Sequence, residues 1–223
     1  MIIIGNGRLI TRNAAEPNGA VVTENELIKE TGTTAEMRLK YPDAEFVDAK
    51  GGVIMPAFIN AHTHIYSALA RGLSIAGYNP TNFYEVLDGM WWKIDRSLTL
   101  EDTRRSAYTT IIDCIKTGCT TIFDHHASFC QIEGSLFAIA DAARALGIRA
   151  CLCYEVSERD GEKKCDESIE ENRNFIDYCE RENDPLLKAM FGGHALFTIS
   201  DRTFERMVEA NNGRTGYHIH VSE

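Results

Sequence analysis

The chain has 223 residues, of which 44% are hydrophobic and 25% charged, and its formal net charge is −10. This length allows one or two globular domains with a sizeable core. The acidic balance argues against a nucleic-acid or anionic-membrane partner, because both favour basic protein surfaces.

The N-terminus and the cysteines indicate a cytoplasmic protein. Met1-Ile2-Ile3-Ile4 lacks basic residues and is interrupted by Gly5, so no secretory leader is predicted. No apolar run approaches the ~20 residues that a membrane helix needs. The seven cysteines form no C-x-x-C motif and are expected to be reduced core residues. For Cys151-Leu152-Cys153, a soft metal site is the alternative.

The first 52 residues predict a small β module. It contains four short strand candidates separated by Gly and Asn turns: Ile2–Ile4, Arg8–Ile10, Ala20–Val22 and Glu45–Val47.

An apolar stretch from Val53 predicts a buried strand that runs into His62-Thr63-His64. Side chains two residues apart in a strand point the same way, so this H-x-H aims two imidazoles at one point. That arrangement is typical of the start of a zinc-type site. The alternative is two surface histidines in a loop.

The next segment, Ile65 to Leu98, is too long for an ordinary connection between a strand and a helix. It is rich in aromatic residues: Tyr66, Tyr78, Phe83, Tyr84, Trp91 and Trp92. One interpretation is that this segment covers a substrate. The other is that it forms a small separate core at the edge of the fold. One segment can do both.

From residue 99 onward, helices and strands alternate. Helices are predicted from Thr99, Gly134, Asp166 and Ser200, and strands over 119–124, 148–154, 187–191 and 216–221. Thr99-Leu100-Glu101-Asp102 is a capping-box variant, with Asp in place of the usual Glu.

The chain closes with a second histidine cluster. The predicted strand from Gly216 to Val221 ends near His220, and Glu223 follows His220 by three residues. A turn after Val221 would let a metal ligand and a proton-shuttling carboxylate share one site.

Alternating strands and helices predict parallel strands with crossover helices, either in a doubly wound sheet or in a barrel. The glycine-rich phosphate motifs of the doubly wound class are absent. Histidines and carboxylates at the ends of successive strands favour the active face of a barrel. We therefore predict an α/β fold, a TIM-type (β/α) barrel of which about five βα units lie within residues 53–223.

The stretch from Pro56 to His64 resembles the P-G-F-[IV]-[ND]-x-H-x-H signature of the amidohydrolase superfamily, with Ala57 in place of Gly. The segments 65–72, 120–126, 193–198 and 220–223 resemble its deaminase and chlorohydrolase branch. Within that branch, residues 66–72 are most similar to the SsnA-type aminohydrolases.

This resemblance implies a (β/α)8 barrel at residues 53–223 and a composite β-sandwich to which residues 1–52 belong. It also implies one divalent metal ion, Zn or alternatively Fe, with His62, His64 and His220 as ligands. Glu223 would be the catalytic proton shuttle.

The resemblance further implies that His194 contacts a small heterocyclic substrate and that His125 or His126 faces the same pocket. His218 lies deeper on its strand and is predicted to be a core residue or a neighbour of the ligands. The implied reaction is hydrolytic deamination by metal-activated water. A dechlorinating or ring-opening hydrolase and an inactive binding module are the alternatives.

The chain departs from the family pattern after Glu223, because a barrel of eight strands needs three more and a strand-eight aspartate as metal ligand. We therefore expect the sequence to be the N-terminal half of a longer protein that forms homo-oligomers. Alone, it is expected to bind metal weakly and to be inactive.

Overall fold

The structure is a computed structural model that describes residues 1–221, and the chain divides into two units, Met1–Ala57 and the part from Phe58 onward. Each unit has its own sheet and its own core.

The N-terminal unit is a mixed five-stranded sheet that carries one helix. Its elements are β1 (Ile2–Ile10), β2 (Ala15–Glu24), β3 (Leu27–Thr33), α1 (Thr34–Lys40), β4 (Glu45–Asp48) and β5 (Val53–Ile54). The strand order is β3-β2-β1-β4, with β5 also paired to β1. A small β module is thus present, but the candidates Ile2–Ile4 and Arg8–Ile10 form the single strand β1, and neither β3 nor α1 was predicted.

Helix α1 escaped prediction although its start has a sequence signature. Thr33 caps the helix and its side chain accepts from Glu36 N, while Glu36 accepts from the Thr33 backbone. This is a full T-x-x-E capping box. Met37 from the helix packs on Ile3 and Val22 of the sheet.

The second unit has parallel strands joined by helices, as predicted. Its strands are β6 (Phe58–Thr63), β7 (Cys119–His126), β8 (Arg149–Tyr154), β9 (Leu187–Ala189), β10 (Phe191–Ala195) and β11 (Tyr217–His220). The order β6-β7-β8-β9 forms one sheet and β10-β11 another, and a parallel bridge from Val156 to Gly193 links them. The five predicted strand positions from residue 53 onward are therefore occupied, the fourth by β9 and β10 together.

The helices of this unit are α2 (Phe83–Val86), α3 (Trp92–Asp95), α4 (Leu100–Lys116), α5 (Ser135–Leu146), α6 (Glu162–Glu182) and α7 (Asp201–Asn211). The capping box at Thr99 and the cap at Ser200 are confirmed. Helix α6 begins four residues earlier than predicted, at Glu162. The core lies between the sheet and helices α4 to α6, and its largest buried members include Ile111, Ile122, Leu136, Leu152 and Phe175.

The prediction of one continuous buried strand from Val53 to His64 is wrong. Val53–Ile54 pairs with β1 in the N-terminal sheet, and the strand that carries His62 starts only at Phe58. Phe58 and Ile59 are 57% and 61% exposed. An apolar run cannot reveal where the chain leaves one sheet and enters another, because both halves have the same composition.

Of the aromatic insertion, part is core and part lines a cavity. Ile65, Tyr66 and Leu98 belong to the main core cluster, with Trp91 packed against it. A 3-10 turn (Ile65–Ala70), α2, a π-helical turn (Leu87–Trp91) and α3 form its regular parts. Across residues 1–221, none of the helices has the length and apolarity required to cross a membrane.

Candidate active site

Three histidines from the first and last strands of the second unit converge on one point. His62 lies in β6, His64 follows that strand, and His220 ends β11. One ring nitrogen from each lies within 4.8 Å of the others, and Nε2 of His62 is 3.3 Å from Nε2 of His220. The structure therefore brings together the three histidines that the sequence singled out.

Hydrogen bonds orient all three imidazoles. Nδ1 of His64 donates to the carbonyl of His125 at 2.8 Å, and Nδ1 of His220 donates to the carbonyl of His194 at 2.9 Å. Nδ1 of His62 is 2.8 Å from Nε2 of His218. A neutral imidazole that donates through Nδ1 has its lone pair on Nε2. The rings of His64 and His220 are thus held in the tautomer that a metal ligand requires.

The cluster favours neutral rings. Burial, followed by the proximity of His125, lowers the pKa of His64 to about 4 and that of His220 to about 3. The same two causes lower the pKa of His62. Neutral imidazoles are the form that binds metal ions.

His194 and His218 both lie beside this cluster. His194 is 4% exposed and lines the adjoining cavity, and its Nδ1 is 2.8 Å from the hydroxyl of Thr198. His218 is half-buried and contacts His62, so it lies next to the candidate ligands.

His125 and His126 are fully buried, and neither lines the cavity within residues 1–221. Nε2 of His125 donates to the carbonyl of Gly193 at 2.8 Å, and its Nδ1 is 3.4 Å from Glu155. Nε2 of His126 is 3.0 Å from the hydroxyl of Ser128. His125 therefore does not face the cavity: its carbonyl orients His64, and its ring is bonded to the carbonyl of Gly193. Glu223, the predicted proton shuttle, lies outside the described residues.

A cavity of about 320 Å³ opens beside the histidine cluster. Its walls are mainly aromatic and apolar, with a few polar groups among them: His62, His64, Tyr66, Ser67, Phe83, Leu87, Trp91, Trp92, Glu155, His194 and His220. This volume is typical of a small-molecule site. Its aromatic side chains suit a flat heterocycle.

Three charged residues near the cavity were not predicted from the sequence: Glu155, Arg159 and Asp95. Glu155 directly follows β8, and Asp95 ends α3 in the aromatic insertion. The Arg159 guanidinium bonds to both carboxylates, at 3.1 Å from Glu155 and 2.5 Å from Asp95. A carboxylate at the end of a predicted strand was a usable signal for Glu155, by the same reasoning that singled out the histidines.

Comparison with known proteins gives two profile matches. The profile of the Amidohydrolase family matches residues 53–223, and that of the bacterial imidazolonepropionase-like composite domain matches residues 19–44.

Curated relatives are deaminases by name. The 5'-deoxyadenosine deaminase of Methanosarcina barkeri is 30% identical over 226 residues, covering 100% of this chain and 49% of that protein. The 5-methylthioadenosine/S-adenosylhomocysteine deaminase of Syntrophomonas wolfei is 30% identical, covering 95% of this chain and 46% of that protein. The chain thus spans about half the length of these relatives.

Among solved structures, the atrazine chlorohydrolase TrzN from Arthrobacter aurescens TC1, crystallised with zinc, superposes with a TM-score of 0.78. The sequences are 19% identical, and the match covers 100% of this chain and 53% of that one. At this identity the likeness establishes the fold.

Proposed function

Since its residues 53–223 match the family profile, the chain belongs to the amidohydrolase family, and we propose that it supplies the metal-binding part of a hydrolase that deaminates an amino-substituted heterocycle. The observation that carries the proposal is the convergence of His62, His64 and His220 beside an aromatic cavity.

The donor set fits a divalent ion of the zinc type. Two nitrogens that each bind Zn²⁺ at its usual distance in a tetrahedron lie about 3.4 Å apart. The Nε2 atoms of His62 and His220 are 3.3 Å apart. Nδ1 of His64 and Nδ1 of His220 each donate a hydrogen bond to a backbone carbonyl, as is usual for metal-bound histidines. We propose these three residues as ligands of one divalent ion, with zinc as the first choice.

When bound, such an ion acts as a Lewis acid and lowers the pKa of a water molecule toward neutrality. Tyr66, Trp91 and Trp92 would hold a flat ring beside the three histidines and exclude bulk water. His194, with Nδ1 held by Thr198, would hydrogen-bond the ring through Nε2. Glu223 would take the two protons of the attacking water in turn and pass the first to a ring nitrogen and the second to the amino group, so that the new C–O bond replaces the C–N bond and ammonia leaves.

Deamination is proposed ahead of dechlorination because the curated relatives described above are named as deaminases of adenosine-type nucleosides. Purine nucleosides are therefore the first substrates to try, followed by free purines, pterins and triazines.

Metal binding is the first test. We expect the chain to bind about one equivalent of Zn²⁺ weakly in a calorimetric titration, and His64→Gln to abolish this binding. Stoichiometric zinc binding that survives both His64→Gln and His220→Asn would contradict the assignment.

The reaction is tested by ammonia release from the substrate panel, with the chain and with the longest product of its reading frame. Release of halide from chlorinated rings in place of ammonia would assign the dechlorinating alternative. If the longer product binds zinc but releases neither ammonia nor halide, a binding module is favoured.

A further inference from the structure

The proposed chemistry leaves one charged group of the cavity without a role. Glu155 is 3% exposed and lines the cavity together with the three candidate ligands and the tryptophans. Burying a carboxylate is costly unless it is paired, so its presence in this wall needs a reason.

Arg159 holds this carboxylate in place. Nη2 of Arg159 donates to Oε1 of Glu155 at 3.1 Å and to Oδ2 of Asp95 at 2.5 Å. The guanidinium carbon lies 4.0 Å from the ring centroid of Phe129 and 5.1 Å from that of Trp92. With ion pairs at its edge and rings at its faces, Arg159 has little freedom to move, and Glu155 is fixed through it.

Glu155 keeps hydrogen-bonding capacity that the protein does not use. An ionised carboxylate offers about four acceptor positions. Within residues 1–221, Oε1 of Glu155 accepts a hydrogen bond from Arg159 at 3.1 Å. Among the same residues, Oε2 has only a long contact, 3.4 Å, with Nδ1 of His125, so most of the acceptor positions of the carboxylate are open.

The group is charged at neutral pH. Burial alone would raise the pKa of Glu155, but His194, His125 and Arg159 hold it well below its usual range. A fixed carboxylate in a nearly dry wall accepts hydrogen bonds and rejects other acceptors, because an oxygen facing it would be repelled and left unpaired.

We propose that Glu155 is a specificity-determining residue that reads a donor edge of the substrate, two adjacent N–H groups such as an amino group beside a ring N–H. This inference rests on the proposed function, since it takes the cavity to be the substrate site, and it narrows the substrate class to rings with an N–H beside their amino group. Guanine-type purines and pterins have this edge and therefore move ahead of adenosine-type nucleosides, whose amino group lies beside a bare ring nitrogen. Rings that turn a carbonyl toward Glu155 do not fit.

Two matched probes separate these chemistries. Benzamidine presents two N–H donors to a carboxylate, whereas benzamide has nearly the same shape and replaces one donor group by a carbonyl oxygen. Both tryptophans of the chain line the cavity, so their fluorescence reports binding there. The titrations are run with a chelator at 0.15 M salt, which removes metal and screens the net charge of the chain.

We expect benzamidine to bind at least about tenfold more tightly than benzamide, because its contact with the carboxylate is charge-assisted and bidentate. Glu155→Gln should abolish this preference. Glu158→Gln is the matched control, because Glu158 is exposed, lies on the same loop and bonds to Ser200 without lining this cavity. It should keep the preference.

Equal binding of both probes to the wild-type chain, or no binding of benzamidine at millimolar concentration, overturns the inference. Retention of the preference by Glu155→Gln also overturns it. If Glu155→Gln does not fold by circular dichroism, Glu155→Asp provides the test and should still prefer benzamidine, with weaker affinity. Because no metal is present, failure to bind zinc contradicts the proposed function alone, and failure to discriminate the probes contradicts this inference alone.

Discussion

Nε2 of His62 lies 3.3 Å from Nε2 of His220, although the two residues are 158 positions apart in the chain. The contact joins the first strand of the second unit to its last described strand. An ion bound between them would link β6 to β11, so metal binding and folding of the second unit should be coupled.

Zinc should therefore stabilise the chain against heat. At a free zinc concentration of 100 times Kd, the expected gain is about 2.7 kcal/mol, which raises Tm by roughly 5–10 °C in a protein of this size. His220→Asn should lose the zinc-dependent rise in Tm. His126→Gln should keep it, because His126 bonds to Ser128 and is not one of the three converging histidines. Scanning calorimetry over a zinc series measures this, and an equal response of both variants would count against the ligand set.

His126 should make stability depend on pH. Burial lowers the pKa of His126 to about 3 against the opposing effect of Glu155, with smaller lowering effects from His125 and His64, whereas an unfolded histidine titrates near 6.5. Between these values the unfolded chain binds a proton that the folded chain does not, so this contribution to stability is full above pH ~6.5 and is lost as pH falls.

The metal-free wild type should therefore lose up to about 1.4 kcal/mol per pH unit relative to His126→Gln as the pH falls from 6.5 toward 4. Asp124 has a pKa raised by burial to about 7 and titrates in the opposite sense, but both proteins retain it, so the difference isolates His126. Urea denaturation at several pH values measures the difference. Ser128→Ala removes the hydrogen bond without the titration and should give an offset that is constant with pH.

Arg159 should be among the most costly residues to replace. Its side chain is 4% exposed and pairs with Asp95 and Glu155, which are 0% and 3% exposed. Arg159→Met removes the cation that bridges these two buried carboxylates and should cost about 3–5 kcal/mol of unfolding free energy. On the exposed face of α6, Arg173→Met breaks a surface pair with Glu170 and should cost less than about 0.5 kcal/mol.

Denaturant titration of both variants tests the comparison, and the double variant Arg159→Met/Asp95→Asn should recover part of the loss. Similar costs at the two positions would mean that the buried pairs contribute no more than a surface contact.

The sequence predicted the histidine cluster because strand alternation and strand-end position are local properties. His62-Thr63-His64 needed only a period of two and a correct class of fold, whereas the family resemblance supplied His220 as their partner. The Asp95–Arg159 pair joins the end of α3 to the loop after β8, 64 positions away, and neither segment has a periodicity that would place the two residues together. Glu155 could have been predicted, because it follows a predicted strand. The split between Val53–Ile54 and Phe58–Thr63 could not have been predicted, because it depends on tertiary strand pairing.

Gly192 should tolerate no side chain, because β10 passes close to the end of β8 at this point. A Cβ there would lie 2.3 Å from the carbonyl oxygen of Tyr154 and 3.0 Å from Sγ of Cys153. Asn172 fixes the approach, since its Oδ1 accepts from the backbone N–H groups of both Tyr154 and Gly192. The backbone must shift to admit even a methyl group.

Gly192→Ala should therefore cost about 3 kcal/mol by urea denaturation, at the upper end of the usual cost of overpacking. It should also weaken zinc binding, because His194 follows two residues later and its carbonyl orients His220. Gly216→Ala is the matched control, since among residues 1–221 its Cβ would meet only Cε of Met190, at an ordinary 3.5 Å. Both alanine variants unfolding at the same urea concentration as the wild type would mean that β10 does not pack against β8 as closely as the structure places it. In that case β10 would not fix the position of the His194 carbonyl that orients His220.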